Sequence, residues 1–262
     1  QFTKEIQRTT VQGSLLTLKV EGLLGGHSGQ DIDKERQNAD LLMARMIQRL
    51  LKETKGQLVS FNGGTKDNAI PRECEASLIY ESDEEAAKAE ELACELAETY
   101  AEELTPAEPD FSCEISCETN RTAEAIPQDA AKEFICAMRL APNGIQKRNI
   151  KMDGFVVVSL NLGVVRTEED RIVMIFSPRS SVASLQEDTK ERLNTLAETF
   201  GFTVSHSSEY PGWSFKEDSP VREICKESYK ELFGEDLKIE AIHAGLECGL
   251  FSDAIKGLDA IA

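Results

Sequence analysis

Three features of the sequence predict an α+β fold in which an antiparallel sheet carries helices on one face. Apolar and polar residues alternate in several short runs, as half-buried strands require. Long apolar stripes at spacings of three and four separate those runs, as amphipathic helices require. The order helix, strand, strand, helix, strand then occurs twice, over 33–118 and 127–208. Two such units side by side give one longer sheet. Residues 211–262 change to the order helix, strand, glycine turn, helix, which is a partial α/β segment too short for a core of its own.

Residues 12–22 open the alternation, with Leu16, Leu18 and Val20 on one face and Thr17, Lys19 and Glu21 on the other. A glycine-rich turn follows, and Ala39, Leu42, Met43, Met46, Ile47 and Leu50 predict a helix over 33–52 that Gly56 ends. Gln57 to Asn62 is a short strand, Gly63 to Pro71 a long turn, and Glu73 to Tyr80 a second strand. Ser82 and Glu85 form a capping-box signature ahead of the stripe Ala89, Leu92, Ala93, Leu96, Ala97, Tyr100, Ala101 and Leu104. Pro106 and Pro109 stop that helix. Phe111, Cys113, Ile115 and Cys117 then share one strand face, so this Cys pair reads as two small core residues and not as a metal or redox turn.

In the second half, Ala131, Phe134, Ile135 and Met138 mark a helix. Phe155 to Val165 and Arg171 to Ser177 are strands joined by the turn at 167–170. Val182, Leu185, Leu193, Leu196 and Phe200 mark a further helix, and Phe202 to Ser208 a closing strand on which His206 is structural. Beyond the Tyr210-Pro211-Gly212-Trp213 stretch, Ser219-Pro220 is a capped helix start, and Leu237, Ile239 and Ala241 alternate into a glycine turn at 243–249.

Composition narrows the partners. Against 29 Lys and Arg stand 47 Asp and Glu, a net charge of −18. That field repels nucleic acid and anionic membrane, so neither is expected as a partner. Much of the acid lies on helix faces such as 81–103, where solvation explains it. No apolar run approaches the ~20 residues of a membrane span. Seven scattered cysteines, an odd number with no framework of spacings, suggest reduced thiols and a cytoplasmic protein.

Four loops carry the groups able to grip a ligand. In Gly25-Gly26-His27-Ser28-Gly29, three glycines leave little bulk beside one imidazole. Taken alone, that turn reads first as a solvated connection. In the 62–71 loop, Asn68 brings a donor and an acceptor to a substrate carbonyl or carboxylate, and a polar hairpin loop is the alternative. Arg179, in Ser177-Pro178-Arg179-Ser180-Ser181, is expected between a strand and a helix. A cation there opposes the helix dipole, which favours an anion site over a local stabilising role, although pairing with a surface acid explains it equally well. The last loop offers His243 and Glu247 as ionisable groups and Gly245 as a point of close approach, or else it is an ordinary connection. No metal-binding spacing, nucleophile elbow or phosphate loop occurs.

Read together and in order, these loops resemble one family, the bacterial aminoacyl-histidine (Xaa-His) dipeptidases, which are carnosinase-like di-zinc peptidases. The matching stretches are 25–32, 62–74, 177–181 and 243–249. The resemblance implies a lid and dimerisation domain at about 12–210, with 1–11 as an edge of the catalytic domain and 211–262 as part of it. It implies His27 as the lid histidine that stabilises the tetrahedral oxyanion, in dimeric relatives within the partner's site. It implies that Asn68 and Arg179 bind the dipeptide's backbone and carboxylate, and that the turn with His243, Gly245 and Glu247 lines the pocket. The family's two zinc ions and catalytic glutamate would be held outside this sequence, so this chain is expected to bind no zinc and to be inactive alone. A homodimer through the lid is expected. The alternatives are a non-catalytic binding or dimerisation module derived from the lid, and an acidic assembly domain without a ligand.

Overall fold

A computed structural model describes residues 1–150, 154–207, 213, 216, 218–239 and 247–262. In chain order its elements are β1 (Phe2–Glu5), β2 (Thr9–Glu21), β3 (Gly26–His27), a 3-10 turn (Ile32–Lys34), α1 (Ala39–Glu53), β4 (Gln57–Gly63), β5 (Ala69–Ile70), β6 (Cys74–Tyr80), α2 (Asp83–Leu104), β7 (Ser112–Ala125), α3 (Gln128–Leu140), β8 (Gly144–Asn149), β9 (Phe155–Thr167), β10 (Arg171–Ser180), α4 (Ala183–Thr199), β11 (Thr203–Val204), α5 (Pro220–Phe233) and α6 (Glu247–Ala254).

Nine strands make one sheet in the order β11-β1-β10-β9-β4-β6-β2-β7, with β8 paired to β9 off that path. The pairings are antiparallel. Alternation decides which face is buried: Leu16, Leu18 and Val20 of β2 are fully buried while Thr17 and Lys19 between them are half-buried. One continuous apolar core joins that face to α1, α2, α3 and α4. Helix α1 shows which effect stabilises the helices. The Asn38 side chain caps it by accepting from the Asp40 and Leu41 N–H groups, a contribution of about 1 kcal/mol. Its buried Leu42, Met43, Met46, Ile47 and Leu50 contribute about 1.5–3 kcal/mol each. Packing therefore outweighs the cap.

Several expectations are corrected. The first residues, expected at an edge of another domain, join this sheet: β1 lies between β10 and β11, and Phe2 is 1% exposed against Phe176 and Phe202. The helix expected over 33–52 begins at Ala39, because Asn38 caps it and Glu35 is left-handed at φ 52°. Strand β10 runs on to Ser180 and α4 begins at Ala183 with Val182 as its cap, so Arg179 is a strand residue three positions before the helix cap. The closing strand is only Thr203–Val204, and His206 is exposed beyond it. Leu237 to Ile239 pair with no strand among the described residues, and the rest of that expected strand lies outside them. Strand β8 has no counterpart in the sequence pattern, because Gly-Ile-Gln-Lys-Arg-Asn has little apolar alternation.

The Cys113 and Cys117 side chains are half-buried and pack against the core, as the alternation predicts. Beyond the sheet, α5 is capped by Ser219 with Pro220 in its first turn, and none of its residues is buried.

Candidate functional site

Two glycine-bearing loops meet in a small ribbon. Strand β3 pairs with β5 antiparallel, Gly26 opposite Ile70 and His27 opposite Ala69. The ribbon continues one residue further, where the Ser28 N–H donates to the Asn68 carbonyl at 2.9 Å. Gly26 explains why the turn needs glycine. Its φ is 141°, and an added Cβ would lie 2.7 Å from the Arg36 guanidinium and 2.8 Å from Asp31. Arg36 donates to the Gly25 carbonyl, and the His27 N–H donates to Asp31 Oδ2 at 2.8 Å.

His27 is thereby held in one tautomer. Its Nδ1 accepts from the Gly29 and Gln30 N–H groups, both at 3.1 Å. A nitrogen accepting two hydrogen bonds carries no proton, so the neutral ring keeps its proton on Nε2. Burial lowers the His27 pKa below its ordinary 6.5, and the positive charge of Arg179 lowers it further, while Asp31 opposes both. The ring is therefore a neutral Nε2–H donor near neutral pH.

Arg179 reaches this neighbourhood from β10. It stands opposite Ser159 of β9, and Ser177 stands opposite Asn161. Leu160, Leu162 and Phe176 enter the helix-packed core, so alternation sends Ser159, Asn161, Ser177 and Arg179 to the other face. The Arg179 Nε is buried with no hydrogen-bond partner. Desolvation lowers its pKa and Asp67 partly compensates, but no ion pair to Arg179 is present among the described residues. An Arg that stays charged without a partner is a poor structural element and a good receptor for a carboxylate.

Asn68 is exposed at the tip of the loop. Its N–H donates to Asp67 Oδ1 at 2.9 Å and its carbonyl accepts from Ser28. Its side-chain amide makes no hydrogen bond among the described residues, so both its donor and its acceptor are available. His27, Asn68 and Arg179 thus gather on one side of the sheet.

Of the other expected site residues, Glu247 alone is among the described residues. Glu247 is the exposed first residue of α6, and among the described residues no hydrogen bond or ion pair links it to the three. His243 and Gly245 lie outside the described residues. No sequence motif singles out Asp31, Asp67, Asn161 or Arg166, which hold the two loops. Asn161 and Gly163 had a signal, a polar residue and a glycine interrupting an otherwise apolar strand. Among the described residues no group of three His, Cys, Asp or Glu could hold a metal ion.

Comparison with known proteins gives the class of this fold. Residues 18–108 match the family described as a peptidase dimerisation domain. The cytosol non-specific dipeptidase of Escherichia coli (strain K12) is 33% identical over 251 residues, covering 94% of this chain and 50% of that protein. The crystal structure of aminoacylhistidine dipeptidase from Vibrio alginolyticus matches with a TM-score of 0.89 at 33% identity, covering 96% of this chain and 51% of that one. The chain is therefore a homologue of the aminoacylhistidine dipeptidases and spans about half the length of these relatives.

Proposed function

We propose that this chain is the lid-bearing part of a zinc-dependent dipeptidase acting on Xaa-His dipeptides. Residues from about 12 to 210 form the lid together with the β1 strand, and 211–262 are a strip of the catalytic domain. The observation that carries this is the convergence of three unsatisfied groups, a neutral imidazole N–H, a free amide and an unpaired guanidinium. Together they match a dipeptide at the moment its peptide carbonyl becomes an oxyanion. His27 Nε2–H donates to that developing charge, which is worth most where water is excluded. Arg179 grips the C-terminal carboxylate in a fork, and Asn68 fixes the backbone between them.

Zinc would supply the activated water in such a reaction. The described residues do not form its site, so His27, Asn68 and Arg179 act only in binding and in charge stabilisation. Cytosolic placement accords with seven unpaired cysteines and with the name of the Escherichia coli relative. Strand order supports two units of like topology in the lid. The orders β7-β2-β6-β4 and β11-β1-β10-β9 run outward from a central β4–β9 seam, and each has one of the first two strands inserted. The dimerisation-domain match favours a second possibility, a non-catalytic dimerisation module.

Kinetics of the whole enzyme separate the two. His27→Ala should lower kcat by about 10²–10³ with little change in KM, and Arg179→Ala should mainly raise KM. Unchanged kinetics in both variants support the module. This chain alone should hydrolyse no dipeptide and bind no stoichiometric zinc, and zinc-dependent turnover by it would sink the proposal.

A further inference from the structure

Asn161 is 1% exposed in the middle of β9. Its Nδ2 donates to the Asp67 carbonyl at 3.1 Å and to the Ala69 carbonyl at 2.8 Å, the two carbonyls on either side of Asn68. Its Oδ1 is buried and accepts no hydrogen bond among the described residues. A buried amide with an orphaned acceptor costs stability, so packing alone does not account for an asparagine here. What it provides is one donor group spanning two peptide units.

The same strand meets the loop at two further points. Gly163 is the extra residue of a bulge, since Ile175 pairs with Val164 and Phe176 with Leu162. A Cβ on Gly163 would lie 2.5 Å from the Asp67 carbonyl oxygen, and one on Gly64 would lie 1.9 Å from the Gly163 carbonyl oxygen. Arg166 donates to the Gly63 carbonyl at 2.7 Å and also to the Gly64 carbonyl. Residues 166, 163 and 161 of β9 therefore touch 63–64, 67 and 69 of the loop in turn. The backbone of Leu162, between them, is fixed by Asn38 Nδ2 at its carbonyl (2.8 Å) and by Asn143 Oδ1 at its N–H (2.9 Å).

The geometry points to Asn161 as a positioning residue, a strap that sets Asn68 at the height of His27 and Arg179. This rests on the proposed role of Asn68 in holding substrate. Without the strap the loop keeps its anchors at Gly63 and Gly64 but loses both bonds beside Asn68. The Ser28–Asn68 bond that joins the two loops then loosens with it.

Two measurements test it separately. Asn161→Asp keeps the shape and turns two donations into two repulsions, and Asn161→Ala removes the donors without adding charge if the first variant does not fold. Hydrogen exchange on the full chain should accelerate at Ser28 and Ala69 by about tenfold, with the β2–β6 pairing unchanged. Unchanged loop exchange, or loosening of the whole sheet, overturns the strap. In the whole enzyme Asn161→Ala should raise KM by about tenfold and leave kcat nearly unchanged, and should add little to Asn68→Ala. Additive effects overturn the positioning role. If Asn68→Ala leaves KM unchanged, the substrate role of Asn68 fails instead, and hydrogen exchange alone decides the strap.

Discussion

His27 accepts two backbone N–H groups at one ring nitrogen, and that arrangement decides its protonation. A proton on Nδ1 would face both donors, and the nearby Arg179 charge adds to the cost of burial. The folded pKa therefore lies below the ordinary 6.5. The folded chain then binds fewer protons than the unfolded one between the two values. The stabilising contribution is present above the unfolded pKa and is lost as pH falls through the folded one. An NMR titration should place the His27 midpoint below 6.5, and Arg179→Met should raise it without fully restoring it, because burial is the larger cause. A midpoint unmoved by Arg179→Met would separate the two residues and dissolve the site. At this scale the sequence was informative for groups in distinctive loops, such as His27, Asn68 and Arg179. It was silent on Asp67 and nearly so on Asn161, whose roles come from backbone carbonyls brought close only by the fold.

Helix α1 shows what an element hides from its own sequence. Asp40 near its start looks like an acid placed to complement the helix dipole. In the structure it is 0% exposed, packed against Gly63 and the Cys74 thiol, and among the described residues no N–H group donates to its carboxylate. Burial pushes its pKa from 3.8 up to about 8, against smaller opposing effects of Cys74 and Arg166. Here the folded state holds the proton that the unfolded state has released, so stability falls as pH rises between those values. The slope is about 1.4 kcal/mol per pH unit at most. An amide at this position cannot ionise, so denaturation of the Asp40→Asn variant at pH 5, 7 and 9 should lack that decline. Parallel profiles would show that the carboxyl is not buried as described. Elements with strong periodicity, such as α2 with its Ser82 cap and α3, were legible because their own residues specify them. Strands β1, β5 and β8 were not, because two to six residues carry too little pattern and only their partners make them strands.

Across the whole molecule the site depends on a seam. His27 and Asn68 come from the β4 side, while Arg179 and Asn161 come from the β9 side, and among the described residues the two sides share a single register pair, Gly63–Val165. Side chains do the rest of the joining. Phe61 N–H donates to Thr167 Oγ1 at 2.9 Å and Thr167 N–H to Asn62 Oδ1 at 3.2 Å. Arg8 closes one end, donating to the carbonyls of Val59, Glu124, Glu168 and Glu169. These acceptors lie on both sides of the seam, and burial lowers the Arg8 pKa without removing its charge. Arg8→Ala leaves the half-buried Val59 carbonyl and the exposed carbonyls of Glu124, Glu168 and Glu169 to water and should cost about 0.5–1.5 kcal/mol. The apolar core runs under both sides without a break, from Leu16 and Leu78 to Met174 and Phe202. The variant should therefore unfold in a single transition at lower denaturant, with an unchanged dependence on denaturant concentration. Two separate transitions would mean that the halves fold independently. The three groups proposed to grip substrate would then be assembled only by docking of the halves, and Arg8→Ala would weaken substrate binding although Arg8 lies apart from all three.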